Sequence, residues 1–154
     1  MTILYVLIGI PGSGKSTWAK RKEEEASAEW ISRDKIRFDM LQEGDDYFAY
    51  ENKVFAKYID EIQLAIDSGA PYVIADATHI TRGSRNKLLR NLDTTGVEIC
   101  YVYFATDVET AIERNNQRTG RALVPETAIR EMAASLDLPI NFLLVDKNGK
   151  EVHV

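Results

Sequence analysis

A glycine-rich segment that leads into a lysine and two hydroxyl residues is the part of the sequence most directly suited to chemistry. Within ILYVLIGIPGSGKSTWAK, residues 3–20, the spacing G-x-x-x-x-G-K-[ST] follows an apolar run and precedes a helical pattern. Glycines let backbone amides converge on phosphate oxygens, the lysine reaches the β- and γ-phosphates, and the hydroxyl ligates Mg²⁺. The pattern predicts a P-loop that binds a nucleoside triphosphate through Gly9, Pro11, Gly12, Ser13, Gly14, Lys15, Ser16 and Thr17, with Ser16 as the metal ligand.

A second segment, WISRDKIR at residues 30–37, pairs a carboxylate with a guanidinium. Asp34 and Arg37 are three apart, so a helix that begins here places both side chains on one face of its first turn. Asp34 could accept a proton from an attacking hydroxyl, while Arg37 could hold a phosphate or carboxylate beside it. The residues alone leave a structural alternative open, in which Ser32 or Asp34 only caps the helix and Arg37 is solvated.

A third segment, YVIADATHITRGSR at residues 72–85, begins as an apolar strand and ends with several polar residues. Asp76 lies at the strand end, where P-loop enzymes place an acidic group near magnesium or the acceptor, and His79 follows in the loop. Arg82 and Arg85 lie in the first helical turn, where the helix dipole disfavours positive charge, so a bound phosphate would explain them. Asp76, His79, Arg82 and Arg85 are therefore candidate substrate-binding residues. In the structural alternative, Asp76 only bonds turn amides and His79 is solvated.

A fourth segment, ERNNQRTGRALVPE at residues 113–126, concentrates arginines at the end of a helical pattern. Arg114 and Arg118 share a helix face, and Arg121 follows in a glycine-containing loop. Small kinases close such a segment over the triphosphate, so the pattern predicts a lid that brings Arg118 and Arg121 to the nucleotide. The alternative is a solvated basic helix end that the dipole favours.

The elements that must position these residues alternate along the chain as apolar runs and amphipathic segments. This alternation is typical of parallel strands joined by crossover helices, and it predicts an α/β fold with a central parallel sheet of four to five strands. The expected strands cover residues 4–8, 29–31, 72–75, 98–104 and 141–145. The expected helices cover residues 15–26, 35–41, 50–67, 83–92, 108–117 and 125–136, and a hairpin is expected at Asn148-Gly149.

Length and charge narrow the classes of protein that fit. The 154 residues suit one domain, 1–154, and the net charge of −5 argues against a surface that binds nucleic acid throughout, although the later arginines allow a local basic face. The N-terminal apolar run is far shorter than the roughly 20 residues of a membrane span, and the single cysteine, Cys100, cannot form an internal disulfide. These features predict a cytoplasmic protein with no membrane association, and they leave the oligomeric state open.

The four segments, together with GDDYFAYE and IREMAASL, resemble the kinase domain of the bacteriophage polynucleotide 5′-kinase family within the P-loop kinase superfamily. The resemblance runs from residue 3 to about residue 138 in matching order. It implies transfer of the γ-phosphate of ATP, with Mg²⁺, to the 5′-hydroxyl end of DNA or RNA. The phosphatase domain of bifunctional family members has no counterpart in these 154 residues, so the expectation is kinase activity alone.

The resemblance also implies individual roles. Lys15 and Ser16 would hold ATP and Mg²⁺, Asp34 would be the general base, and Arg118 would be the catalytic lid arginine on the γ-phosphate. Arg37 would contact the 3′-phosphate of the acceptor nucleotide, with Asp76 supporting the acceptor site. Two alternatives stay open: a P-loop kinase of a sugar, nucleoside or antibiotic, and a non-catalytic nucleotide-binding module. The second would need a guanine-reading motif if it bound GTP, and the sequence has no N-K-x-D.

Overall fold

Strands and helices alternate along the chain in the computed structural model, which describes residues 1–118 and 123–152. The strands are β1 Thr2–Ile8, β2 Glu29–Ser32, β3 Tyr72–Asp76, β4 Val97–Ala105, β5 Leu143–Asp146 and β6 Glu151–Val152. The helices are α1 Lys15–Ala26, α2 Arg33–Met40, α3 Glu51–Asp67, α4 Arg82–Arg90, α5 Val108–Asn116 and α6 Glu126–Ser135. The helices and strands expected from the sequence are present, with their ends shifted by a few residues.

The described strands form one six-stranded sheet in the order β2-β3-β1-β4-β5-β6. The pairs β2–β3, β3–β1, β1–β4 and β4–β5 are parallel, whereas β6 pairs antiparallel with β5. The predicted α/β fold is confirmed. The sheet has one strand more than the four to five expected, because the C-terminal hairpin adds β6 at the edge.

Two apolar layers cover the faces of the sheet. Leu4 and Val6 of β1 point to one side, where they pack with Val54, Tyr58 and Ile62 of α3. These three helical residues are fully buried, as their helical spacing predicts. On the opposite side, a second cluster joins Leu7 of β1, Trp18 of α1 and Phe104 of β4. Side chains of β1 therefore contribute to both apolar clusters, and this packing fixes the strand from which the next loop begins.

A third apolar cluster lies beyond the carboxyl ends of the strands. It joins Ile10 and Ile80, which follow β1 and β3, to Ile112 of α5 and Ile129 of α6, and Tyr47 packs against it. In parallel α/β sheets, ligands bind at this edge, in the crevice where the order of the strands in the sheet reverses. The loops after β1 and β3 meet here with the start of α2, which follows β2 directly. Among the helices that the structure describes, none is long and apolar enough to span a membrane.

Candidate functional site

The loop between β1 and α1 has the backbone that a phosphate cradle requires. Gly12 and Gly14 have φ of +83° and +100°, a conformation that side-chain-bearing residues rarely adopt. A Cβ atom on Gly12 would lie 2.4 Å from the carbonyl oxygen of Ala111 in α5, so the loop also passes too close to this helix for any other residue. Gly9 anchors the start of the loop by donating its amide hydrogen to the Thr78 carbonyl, at 3.0 Å.

Helix α1 begins at this loop without a side-chain cap. Its N-cap residue is Gly14, which offers no hydrogen bond to the first-turn amides. Uncapped amide hydrogens and the positive end of the helix dipole favour an anion at this position. The start of α1 and the glycine loop thus form one concave surface suited to phosphate oxygens.

Lys15 supplies the fixed positive charge of this surface. Its Nζ donates to the carbonyl oxygens of Gly9 and Ile10, each at 2.9 Å, and the residue is 9% exposed. Burial lowers the pKa of Lys15; the negative charges of Asp76 and Asp34 oppose this effect, and the positive charge of Arg118 adds to it. All three of these predicted site residues line the same cleft as Lys15. A bound polyphosphate would favour the protonated form of Lys15.

Ser16 and Asp76 meet directly beside the lysine. The Ser16 hydroxyl donates to Asp76 Oδ2 at 3.2 Å, and Trp30 Nε1 donates to the same oxygen at 2.9 Å. Burial raises the pKa of Asp76, and its contacts with Lys15, Trp30 and Ser16 act in the opposite direction. The sequence places Asp76 near magnesium or the acceptor; the structure puts its carboxylate next to the proposed metal ligand Ser16, and its part in acceptor binding stays a prediction.

A hydroxyl and a carboxylate oxygen at this point suit Mg²⁺, which prefers oxygen ligands and retains several waters or phosphate oxygens. No group of three or more acidic, histidine or cysteine side chains that could hold a metal is found in residues 1–118 and 123–152. Ser16 and Asp76 would thus hold the ion only together with water and the nucleotide.

The first turn of α2 presents the carboxylate and guanidinium that the sequence singled out. Ser32 caps the helix by accepting from the Lys35 amide at 3.2 Å, which leaves Asp34 free for another role. Arg37 Nη1 donates to Asp34 Oδ1 in a close ion pair. The Asp34 side chain is 45% exposed, whereas that of Arg37 is 7% exposed. The arginine is thus built into the wall of the cleft, and the aspartate faces its interior.

Two residues that the sequence reasoning did not assign hold this pair in place. The Tyr47 hydroxyl donates to Asp34 Oδ1 at 3.0 Å and lies 3.2 Å from Arg37 Nη1. Glu51, at the start of α3, accepts from Arg37 Nε at 2.7 Å and Nη2 at 3.1 Å, and from Arg33 Nη2 at 3.0 Å. Both lie in the segment GDDYFAYE, whose acidic and aromatic composition was the available signal.

These groups share one cleft of about 610 Å³ at the carboxyl edge of the sheet. Arg118 lines it, as does Arg114, whose Nη1 donates to the Gly12 carbonyl at 3.2 Å and whose Nη2 donates to the Lys147 carbonyl at 2.7 Å. Arg121 lies outside the described residues. The predicted residues that line the cleft are Pro11, Gly12, Ser13, Gly14, Lys15, Ser16, Thr17, Asp34, Arg37, Asp76 and Arg118.

His79 is in the core and not in the cleft, which corrects its expected role as a substrate ligand. The residue is 5% exposed and has a φ of +44°. Its Nδ1 donates to the Leu7 carbonyl at 2.7 Å, so its Nε2 is free to accept from the Tyr58 hydroxyl at 3.3 Å. Burial lowers the pKa of His79 to about 3, and a neutral imidazole therefore ties β1 to α3.

Arg82 and Arg85 of α4 do not line the cleft, which corrects their expected role in substrate binding. Arg85 is 3% exposed, and it donates to the His79 carbonyl at 2.9 Å and to Asp137 Oδ1 at 2.7 Å. A carboxylate and backbone carbonyls thus satisfy the charge for which a phosphate was expected. Arg82 is exposed and lines a separate cavity beside the start of β4. Thr81 caps α4 through a capping box with Ser84, as its position before the helix predicts.

A P-loop at the end of β1, an aspartate at the end of β3 and an aspartate–arginine pair at the start of α2 together define a P-loop kinase fold. The model of the AAA domain family matches residues 4–139, and the chain belongs to this family. Such a fold implies that the cleft binds ATP.

Individual relatives differ in what they act on. The chain is 30% identical over 138 residues to the proposed bifunctional polynucleotide kinase/RNA ligase of Autographa californica nuclear polyhedrosis virus; the match covers 80% of this chain and 19% of the viral protein. It is similar to a chain of the Pnkp1/Rnl/Hen1 RNA repair complex, with 25% identity, a TM-score of 0.73 and coverage of 88% of this chain and 44% of that one. It is also similar to a sugar kinase from Janibacter sp. HTCC2649, with 19% identity, a TM-score of 0.68 and coverage of 96% and 87%.

Proposed function

We propose that this protein transfers the γ-phosphate of ATP to the 5′-hydroxyl end of DNA or RNA. The observation that carries the proposal is the pairing of Asp34 with Arg37 on the wall of the cleft that contains the P-loop. A general base beside an anion-binding arginine suits an acceptor that carries both a hydroxyl and a phosphate. The identity to the viral protein and the resemblance of the whole motif set support a polynucleotide as this acceptor.

The residues of the chain divide the work of transfer between two ends of the cleft. The glycine loop, the start of α1 and Lys15 hold the triphosphate. Arg118 adds positive charge next to the γ-phosphoryl group during its transfer. Mg²⁺ held by Ser16 and Asp76 would neutralise charge on the phosphates. At the other end, the exposed carboxylate of Asp34 accepts the proton of the attacking hydroxyl.

The hydrogen bonds of Arg37 suggest how acceptor binding prepares the base. Glu51 occupies Nε and Nη2, while Nη1 is shared by Asp34 and Tyr47. An acceptor phosphate would compete with Asp34 for Nη1. Because Asp34 would then lose one strong partner, its carboxylate becomes available to the hydroxyl as the phosphate binds.

Kinase activity on a small molecule is the second candidate. The turn before Tyr47 exposes Glu43, Asp45 and Asp46, and this negative charge disfavours a long polyanion near the acceptor end. A short acceptor with one phosphate is less affected, because it makes fewer contacts beyond Arg37.

Paired acceptors that differ only in the 3′-phosphate test the proposed function. The wild-type enzyme should use a nucleoside 3′-monophosphate with a kcat/KM at least about tenfold above that of the nucleoside, since a hydrogen bond to a charged group contributes about 1.5–3 kcal/mol. Arg37→Ala should remove this preference. Arg130→Ala is the matched control, because Arg130 is half-exposed on α6 and pairs only with exposed glutamates in the described part of the chain. Equal use of both acceptors by the wild type would reject the polynucleotide assignment.

A further inference from the structure

An aromatic surface lies next to the Asp34–Arg37 pair. The ring of Phe48 meets the ring of Tyr47 edge-on, with centroids 4.7 Å apart and an interplanar angle of 79°. Tyr47 is fixed on its other sides by its hydroxyl contact with Asp34 and by packing against the apolar cluster beyond the strand ends. The ring of Phe48 therefore has a rigid support beside the proposed general base.

Phe48 differs from Tyr47 in how much of its ring is covered. Across residues 1–118 and 123–152, its aromatic and cationic neighbours are Tyr47 and Arg37, whose guanidinium carbon is 5.7 Å from the Phe48 ring centroid. The residue remains 37% exposed and lines the cleft. A large apolar ring is open to the same space into which Asp34 points.

We propose that Phe48 is the stacking surface for the nucleobase of the acceptor's 5′-terminal nucleotide. The inference rests on the proposed function and deepens it, because it assigns a residue to the nucleobase, the part of the acceptor that the proposed function leaves unassigned. The hydroxyl at Asp34 and the phosphate at Arg37 belong to one sugar, so a base on this sugar lies within reach of the adjacent ring. Aromatic stacking accepts every base, because each has a π-face, and it therefore selects nucleotides without selecting a sequence.

The same geometry separates a nucleotide acceptor from a bare sugar. A sugar phosphate could satisfy Asp34 and Arg37 but would leave the Phe48 ring exposed to water. A planar base would cover the ring, and stacking on aromatic side chains changes affinity by roughly 5- to 150-fold, from about 1–3 kcal/mol per base. Phe48 is accordingly a specificity-determining residue in the proposed reaction.

Three acceptors with the same 5′-hydroxyl and 3′-phosphate test this inference: thymidine 3′-monophosphate, its 5,6-dihydro derivative with a non-planar ring, and abasic deoxyribose 3-phosphate. The wild-type kcat/KM should fall at least about fivefold from the first to the third, with the second close to the third. Phe48→Leu keeps an apolar side chain without a ring. Its ratio of kcat/KM with thymidine 3′-monophosphate to kcat/KM with the abasic acceptor should approach one. Phe48→Trp keeps a ring and should keep the ratio.

Different results identify different errors. Equal wild-type use of the base-bearing and abasic acceptors overturns the inference while leaving 5′-hydroxyl transfer intact, and this comparison requires no variant to fold. A Phe48→Leu ratio equal to that of the wild type, in a protein whose thermal midpoint matches the wild type, also overturns it. Absence of labelled product with all three acceptors instead overturns the proposed function and the stacking role together.

Discussion

Alanine at Gly12 should destabilise the protein more than alanine at Gly14, although both glycines have positive φ. At Gly14 the new Cβ meets no atom within 4 Å, so the cost is the left-handed backbone alone, about 1–2 kcal/mol. At Gly12 the Cβ would also lie 2.4 Å from the Ala111 carbonyl oxygen. Ala111 is fully buried in α5 and cannot move freely, so overpacking adds about 1–3 kcal/mol, for a total of about 2–5 kcal/mol.

The free energy of unfolding from urea titration, without nucleotide, measures this difference. Omitting nucleotide is necessary because a Cβ at either position could also touch a bound phosphate and confuse stability with affinity. In thermal scans each kcal/mol should shift the midpoint by about 2–4 °C for a domain of this size. Equal losses in the two variants, or a loss of less than about 1 kcal/mol in Gly12→Ala, would show that the close passage of the loop along α5 is misplaced.

Three further variants test separate parts of the site and core. Lys15→Ala should abolish phosphate transfer, because charge on the β- and γ-phosphates supplies several kcal/mol at the transition state; turnover near the wild-type rate at saturating ATP would contradict the placement of the nucleotide. Asp34→Ala should lower kcat about a hundredfold or more while ATP affinity, measured by fluorescence titration, stays close to that of the wild type; an unchanged kcat would remove Asp34 as general base. Burial lowers the pKa of His79 from 6.5, the ordinary value that applies to the unfolded chain, to about 3 in the folded protein. Between these two pH values the unfolded chain binds a proton at His79 and the folded protein does not. The free energy of unfolding should therefore decrease with acidification over this window by up to about 1.4 kcal/mol per pH unit, and His79→Gln should show a shallower decrease; identical slopes would place His79 at the surface.

The sequence predicted the parts of the site that depend on local spacing. Lys15 and Ser16 are fixed by a loop and helix that are contiguous in the chain, and Asp34 and Arg37 share one helical turn. Asp76 was found because a buried strand ends there. The roles expected of these residues come from their residue types. The contact between Ser16 and Asp76 joins positions 60 residues apart, so predicting it would require knowledge of how the strands pair in the sheet.

Residues whose role depends on distant packing partners could not be assigned from the sequence. His79 looked like a loop histidine, yet it is buried because Leu7 and Tyr58 lie on both sides of its ring. Arg85 looked unpaired in its own helix, but its carboxylate partner, Asp137, is 52 residues away. Glu51 reaches Arg37 across the gap between two helices. In each case the deciding contact is set by tertiary structure.

Transfer of label from [γ-³²P]ATP, resolved by thin-layer chromatography, tests whether the protein phosphorylates 5′-hydroxyl ends. The acceptors are 5′-hydroxyl DNA and RNA oligonucleotides, the same oligonucleotides with a 5′-phosphate, and gluconate, each with wild-type protein and with Lys15→Ala. We expect labelled 5′-ends only on the 5′-hydroxyl oligonucleotides and only with the wild-type protein. Label found only on gluconate, or only as inorganic phosphate released to water, would contradict it.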